Sequence, residues 1–158
     1  MVTLPNGVLI NNLIKDLRIY SWEAADILLN YSVKIKDLGF KKEVLRSLDQ
    51  NDPVTEADLT VNERIIKNIQ DNYPEVDWKI LSEENVKRSS EIQNFNTDWL
   101  WILDPLDGTK DFIQGTGNYA MHLALVYKKR PLIGVVLIPE KDELWFSVSE
   151  KVWCERRD

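Results

Sequence analysis

The chain has one cysteine and one histidine in 158 residues. A lone Cys154 cannot form an internal disulfide, so no covalent framework stands in for a hydrophobic core. His122 lies inside an apolar-alternating segment and reads as a packed residue rather than a catalytic base. No apolar run approaches the roughly 20 residues that a membrane helix needs. The N-terminus lacks the charged start, apolar core and cleavage site of a secretory signal. Positive charge is also short: 20 Lys and Arg stand against 26 Asp and Glu, a formal net charge of −6. Without a basic stripe there is no counterion release to drive binding to duplex or RNA. These absences argue against a membrane or nucleic-acid polymer partner and make the reducing cytoplasm the default compartment. Glycines number six, and Gly115-Thr116-Gly117 has no dinucleotide-type strand before it, so it reads as a turn.

An apolar fraction of 44% and a charged fraction of 29% suit one compact domain with a real core. Within it, one stretch carries most of the chemistry. The apolar run Trp99 to Leu103 leads into Asp104-Pro105-Leu106-Asp107-Gly108-Thr109. Two carboxylates at a strand end, fixed by a proline turn, are hard oxygen donors that suit Mg²⁺. The Gly-Thr that follows can offer backbone N–H groups and a hydroxyl to a phosphate. An acidic protein that handles a phosphate needs a cation between the two. Upstream lie two more acidic blocks, Asp52-Pro53-Val54-Thr55-Glu56-Ala57-Asp58 and Ser82-Glu83-Glu84. Each alone has a plain explanation as a turn or a helix start. In this order, ahead of the third block, they are harder to dismiss.

Periodicity outlines the rest. Leu9, Leu13, Leu17, Ala24 and Leu28 predict a helix over about 8–32, followed by a charged loop over 33–51. Thr55 is a good N-cap for a second helix reaching Asn72, where Tyr73-Pro74 ends it. Trp78 to Leu81 reads as a short strand, and 85–97 as a polar loop or short helix. The unbroken apolar runs Trp99 to Leu103 and Leu132 to Ile138 predict strands, the first buried on both faces and the second central. Residues 119–127 alternate, with 128–131 as the turn between these strands, and Glu143 to Ser149 is a further strand. Helices first and an antiparallel meander after predict an α+β layered sandwich, two N-terminal helices on a mostly antiparallel sheet.

The three acidic blocks together resemble the inositol-monophosphatase-like superfamily of Mg²⁺-dependent, lithium-sensitive phosphatases. Its pattern is D-x-V-T-x-x-D, then G/S-E-E, then W-x-x-D-P-x-D-G-T, and all three occur here in order from Asp52 onward. Lys110-Asp111-Phe112, Leu81 to Glu84 and Leu132 to Val136 are closer to the 3'(2'),5'-bisphosphate nucleotidases, the CysQ type included. The resemblance implies that Glu83, Asp104 and Asp107 ligate Mg²⁺ through carboxylates and Leu106 through its backbone carbonyl. It implies that Thr109 holds the attacking water with Asp58 as its partner, and that the Gly108 and Thr109 N–H groups receive the phosphate. Lys110 stands evenly between a second phosphate contact and a solvent-exposed cation or partner for Asp111. The implied substrate is adenosine 3',5'-bisphosphate, a by-product of sulfate assimilation, cleaved to AMP and phosphate. The alternatives are an inositol or sugar phosphatase of the same superfamily, or a catalytically incomplete metal-binding lobe. Relatives continue into a second α/β portion with a metal-ligating Trp-Asp motif, which nothing after Trp153 supplies. Residues 1–158 therefore read as a single N-terminal lobe of the sugar-phosphatase αβαβα fold, with the C-terminal lobe absent. Such a lobe exposes an apolar sheet edge near Leu144 to Val152 that favours self-association.

Overall fold

A first helix forms because apolar residues recur every three or four positions: Leu13, Leu17, Tyr20, Ala24 and Leu28 are all buried. The computed structural model, which describes residues 3–5, 7–36, 56–88 and 96–157, gives this helix as α1 (Ile10–Lys36). It runs four residues past the predicted end, and Lys34 and Lys36 in its last turn complement the negative end of the helix dipole. The rest of the predicted charged loop, from 37 to 51, lies outside the described residues, as does Thr55. Helix α2 (Glu56–Asn72) buries Ala57, Val61, Ile65 and Ile69, and its inward stripe also carries two polar residues, Asp58 and Asn62. It ends ahead of Tyr73-Pro74, as the pattern predicts.

Among the described residues six strands follow: β1 (Lys79–Ser82), β2 (Trp99–Asp107), β3 (Ala120–Tyr127), β4 (Arg130–Ile138), β5 (Glu143–Val148) and β6 (Lys151–Glu155). They lie side by side in chain order in one sheet. Of these described strand pairs only β1–β2 is parallel. Two short helices sit at strand ends, α3 (Glu83–Arg88) after β1 and α4 (Thr109–Gln114) after β2. The predicted α+β architecture is therefore present. The β3–β4 hairpin is tighter than predicted: Lys128 and Lys129 alone make the turn, with φ of 47° and 68°. Left-handed residues at both central positions match the twist of the flanking strands, and Arg130-Pro131 belong to β4. Strand β6 adds an edge that the pattern did not separate from what precedes it.

The core fills the space between the two long helices and one face of the sheet. Trp101, Leu103, Met121, Leu123, Val135, Leu137 and Phe146 point into it. The opposite face is open among the described residues: Ile102 is 41% exposed and Trp145 40%. This corrects the expectation that the Trp99 run is buried on both sides. Its alternate residues face in and out, and both long helices pack on the same side. His122, expected to be packed, is likewise on the open face with its side chain 47% exposed. The sheet's far edge is tied to α1 by a two-pronged ion pair, Arg18 Nε and Nη2 donating to Glu155 at 2.5 and 2.7 Å. Leu17 is fully buried at the centre of the α1 stripe. Leu17→Ala is expected to lower stability by about 2–5 kcal/mol through lost burial and a residual cavity, read as a drop in the urea unfolding midpoint at unchanged slope.

Candidate active site

Asp104 and Asp107 are three positions apart on β2, and in a regular strand they would face opposite sides of the sheet. A bulge prevents this. Asp104 pairs with His122 and Asp107 with Ala120, so Pro105 and Leu106 together oppose the single residue Met121. The extra residue resets the phase. Pro105 and Leu106 are both buried, whereas the two aspartates emerge on the open face. Proline is tolerated there because a bulge does not need its missing N–H. The turn is tightened by the Leu106 N–H, which donates to Asp104 Oδ1 at 3.2 Å.

Electrostatics single out Asp104. Its carboxyl is pushed up from an ordinary 3.8 to about 7, first by burial, then by the hydrogen bond and charge of Glu83 and the charge of Asp107. The Leu106 N–H pulls the other way and is outweighed. Glu83 begins α3 immediately after β1, and the parallel register sets Ser82 beside Leu103. The ends of two adjacent strands thus converge, and the negative charges of Glu83 and Asp107 both bear on Asp104. Oxygen donors crowded to this degree fit a hard divalent cation, whose charge would relieve the repulsion. The fit is one of chemistry and not of a finished cage. Among the described residues, no three His, Cys, Asp or Glu side chains are gathered closely enough to hold an ion.

The remaining predicted residues surround this pair. Asp58 is buried, 1% exposed, on the first turn of α2, and α2 packs on β2. Leu106 is buried, leaving only its backbone as a donor. Gly108 caps α4 with φ of 85°, and a Cβ there would sit 2.6 Å from the Asn118 carbonyl. Only glycine meets both demands. Thr109 is the half-buried first residue of α4, and no side chain caps that helix start. Lys110 is exposed, and the carboxylate of Asp111 receives a hydrogen bond from Thr116 at 2.8 Å.

Sequence reasoning missed the support behind the Gly-Thr turn. Tyr119 packs edge-on to Phe112, ring centroids 4.8 Å apart, and lies directly behind Gly108. Its hydroxyl donates to Glu140 at 3.1 Å, as does Ser32 of α1 at 2.9 Å. Burial pushes the Glu140 carboxyl up, yet these two bonds and Lys36 together hold it below its usual range. No local signal joins residues 32, 119 and 140, which only the fold brings together.

A family model described as the inositol monophosphatase family matches residues 20–155. The 3'(2'),5'-bisphosphate nucleotidase CysQ of Salmonella typhimurium is 33% identical over 123 residues, 78% of this chain and 48% of that protein. Among solved structures, CysQ from Bacteroides thetaiotaomicron is 30% identical with a TM-score of 0.59, covering 85% of this chain and 45% of that one. The extragenic suppressor protein suhB from Bartonella henselae superimposes with a TM-score of 0.71 at 23% identity, covering 92% and 53%. The chain spans about half the length of the curated relatives it matches.

The raised carboxyl of Asp104 makes a signed prediction for the metal-free protein. Between about 4 and 7 the native state retains a proton that the unfolded chain gives up. Stability should therefore fall as pH rises through that window. Asp104→Asn should melt at a higher temperature than the parent at pH 7.5 in chelator, with the difference shrinking toward pH 4. A constant offset across that range would contradict the crowding.

Proposed function

Because the chain belongs to the inositol monophosphatase family, we propose that it is the metal-binding half of a phosphomonoesterase acting on adenosine 3',5'-bisphosphate, releasing the 3'-phosphate and leaving AMP. The observation that carries this reading is the convergence of Glu83, Asp104 and Asp107 at two adjacent strand ends, with Asp104 held near pH 7 by burial and like charge. The carboxylates of these three and the Leu106 carbonyl would hold Mg²⁺. A bound divalent cation supplies neutralisation of the phosphoryl oxygens and acidification of a neighbouring water. The Thr109 hydroxyl orients the attacking water, and Asp58 accepts the hydrogen bond that fixes that hydroxyl. The Gly108 and Thr109 N–H groups receive a phosphoryl oxygen at the uncapped start of α4. The nucleotide assignment is supported by the Lys110-Asp111-Phe112 sequence and by the similarity to proteins named CysQ.

No helix among the described residues is long and apolar enough to cross a membrane. Cys154 is free and exposed, which accords with the reducing cytoplasm as the site of action. We place the substrate walls and the Trp-Asp carboxylate in a C-terminal lobe beyond these 158 residues. On its own the chain should hold Mg²⁺ weakly and self-associate through its open face and edge, where Trp145 is 40% and Val152 67% exposed.

Three experiments test the reading. In a catalytically complete form, phosphate release with Mg²⁺ should be faster from adenosine 3',5'-bisphosphate than from inositol 1-phosphate. The reverse order would select an inositol or sugar phosphatase. In that form Thr109→Ala and Asp58→Asn should each lower kcat strongly, about 100-fold or more, and the double variant should be little worse than either. Losses that simply multiply would separate the two residues. The 158-residue chain alone should release phosphate very slowly and sediment as more than a monomer. Robust turnover by a clean monomer would show that this half is self-sufficient.

A further inference from the structure

We infer that Asn62 is a positioning residue that locks the Ser82-Glu83-Glu84 turn onto the helix that carries Asp58, an inference that rests on Glu83 being a metal ligand. Asn62 follows Asp58 by four positions on α2, so the two side chains share a helix face. It is 3% exposed, in a buried stripe whose other members are Asp58 and the apolar Ala57, Val61, Ile65 and Ile69. Packing alone would accept an apolar side chain there. The carboxamide instead reaches both flanks of the acidic pair. Its Oδ1 accepts a hydrogen bond from Ser82 Oγ, and its Nδ2 donates to Asn85 Oδ1 at 3.1 Å. Ser82, fully buried, ends β1, and Asn85 is the third residue of α3. One side chain therefore clasps the residues immediately before and after Glu83-Glu84.

The choice of a neutral amide follows from the surroundings. An apolar residue would leave the buried Ser82 hydroxyl without this acceptor. An aspartate could still accept from Ser82, but it would lose the donor to Asn85 and bring another negative charge toward the crowded Glu83–Asp104 pair. Asn62 satisfies both contacts and adds no charge. It thus couples the two halves of the site, holding the turn that carries Glu83 against the helix of Asp58. Partners that orient a metal ligand typically change affinity by about 10- to 100-fold when removed.

The test uses the 158-residue chain and Mn²⁺ alone as the probe, with free ion followed by electron paramagnetic resonance. Asn62→Ala should weaken Mn²⁺ binding by about 10- to 100-fold, and the Asn62→Ala/Ser82→Ala double variant should be no weaker than Asn62→Ala. Amide exchange should speed up at 83–86 while the core of α1 keeps its protection. Asn85 is exposed, so Asn85→Ala removes one arm without opening the core. It should weaken Mn²⁺ binding at an unchanged metal-free melting temperature, a change that a merely structural role would not produce. Parental Mn²⁺ affinity in both Asn62→Ala and Asn85→Ala would overturn the inference. If the parent bound no Mn²⁺, or Asp104→Asn bound it equally well, the carboxylate site itself would fail and this inference with it. That outcome is read from the parent and Asp104→Asn alone.

Discussion

The carboxylate end of this molecule depends on one irregularity in its sheet. Strand β2 carries Asp104 and Asp107 at a spacing that pleating would send to opposite faces, one into the core and one to solvent. The bulge at Pro105-Leu106 brings both to the same side. Without it, one of two ionisable groups would have to be desolvated among Trp101, Leu103 and Met121, at a cost the core could not offset. The buried pair Pro105-Leu106 and the Leu106 N–H bond to Asp104 hold the bulge in place. The D-P-x-D spacing therefore encodes a backbone defect as much as a donor set.

Around that defect the fold collects groups from distant parts of the chain. The parallel β1–β2 pairing brings Glu83 to the end of the neighbouring strand. Helix α2 lies over β2 and carries Asp58 and Asn62. The Gly108 turn is backed by Tyr119, whose hydroxyl is anchored through Glu140 to Ser32 on α1. Rigid elements thus hold every group proposed to act on a phosphate ester, an arrangement that favours preorganised electrostatics over adaptation.

Much of this was legible in the sequence, and where it was not the reason is physical. The α1 and α2 stripes and the β3 alternation set their own periods, so those elements emerged nearly as expected. The Asp104 block was legible because proline, glycine and paired carboxylates rarely fall together by chance. The apolar run Trp99 to Leu103 misled, since composition alone cannot tell a strand covered on both faces from one covered on a single face. Ile102 and His122 are open because both long helices lie on the other side. The Asn62 clasp and the Ser32–Tyr119–Glu140 contact were invisible, because single polar residues in an amphipathic pattern carry no mark of a distant partner. The parts of the first acidic block before Glu56 lie outside the described residues.

The strands lie in the sheet in the same order as in the chain, each beside its predecessor. From β2 onward every pairing is a neighbour-to-neighbour return, so the sheet can grow by successive short loop closures with little entropic penalty at each step. The exception is α1, whose Arg18 meets Glu155 across a separation of 137 residues. That contact closes nearly the whole chain into a loop. The clasp between first helix and last strand therefore costs a large loop entropy that the strand-to-strand returns do not.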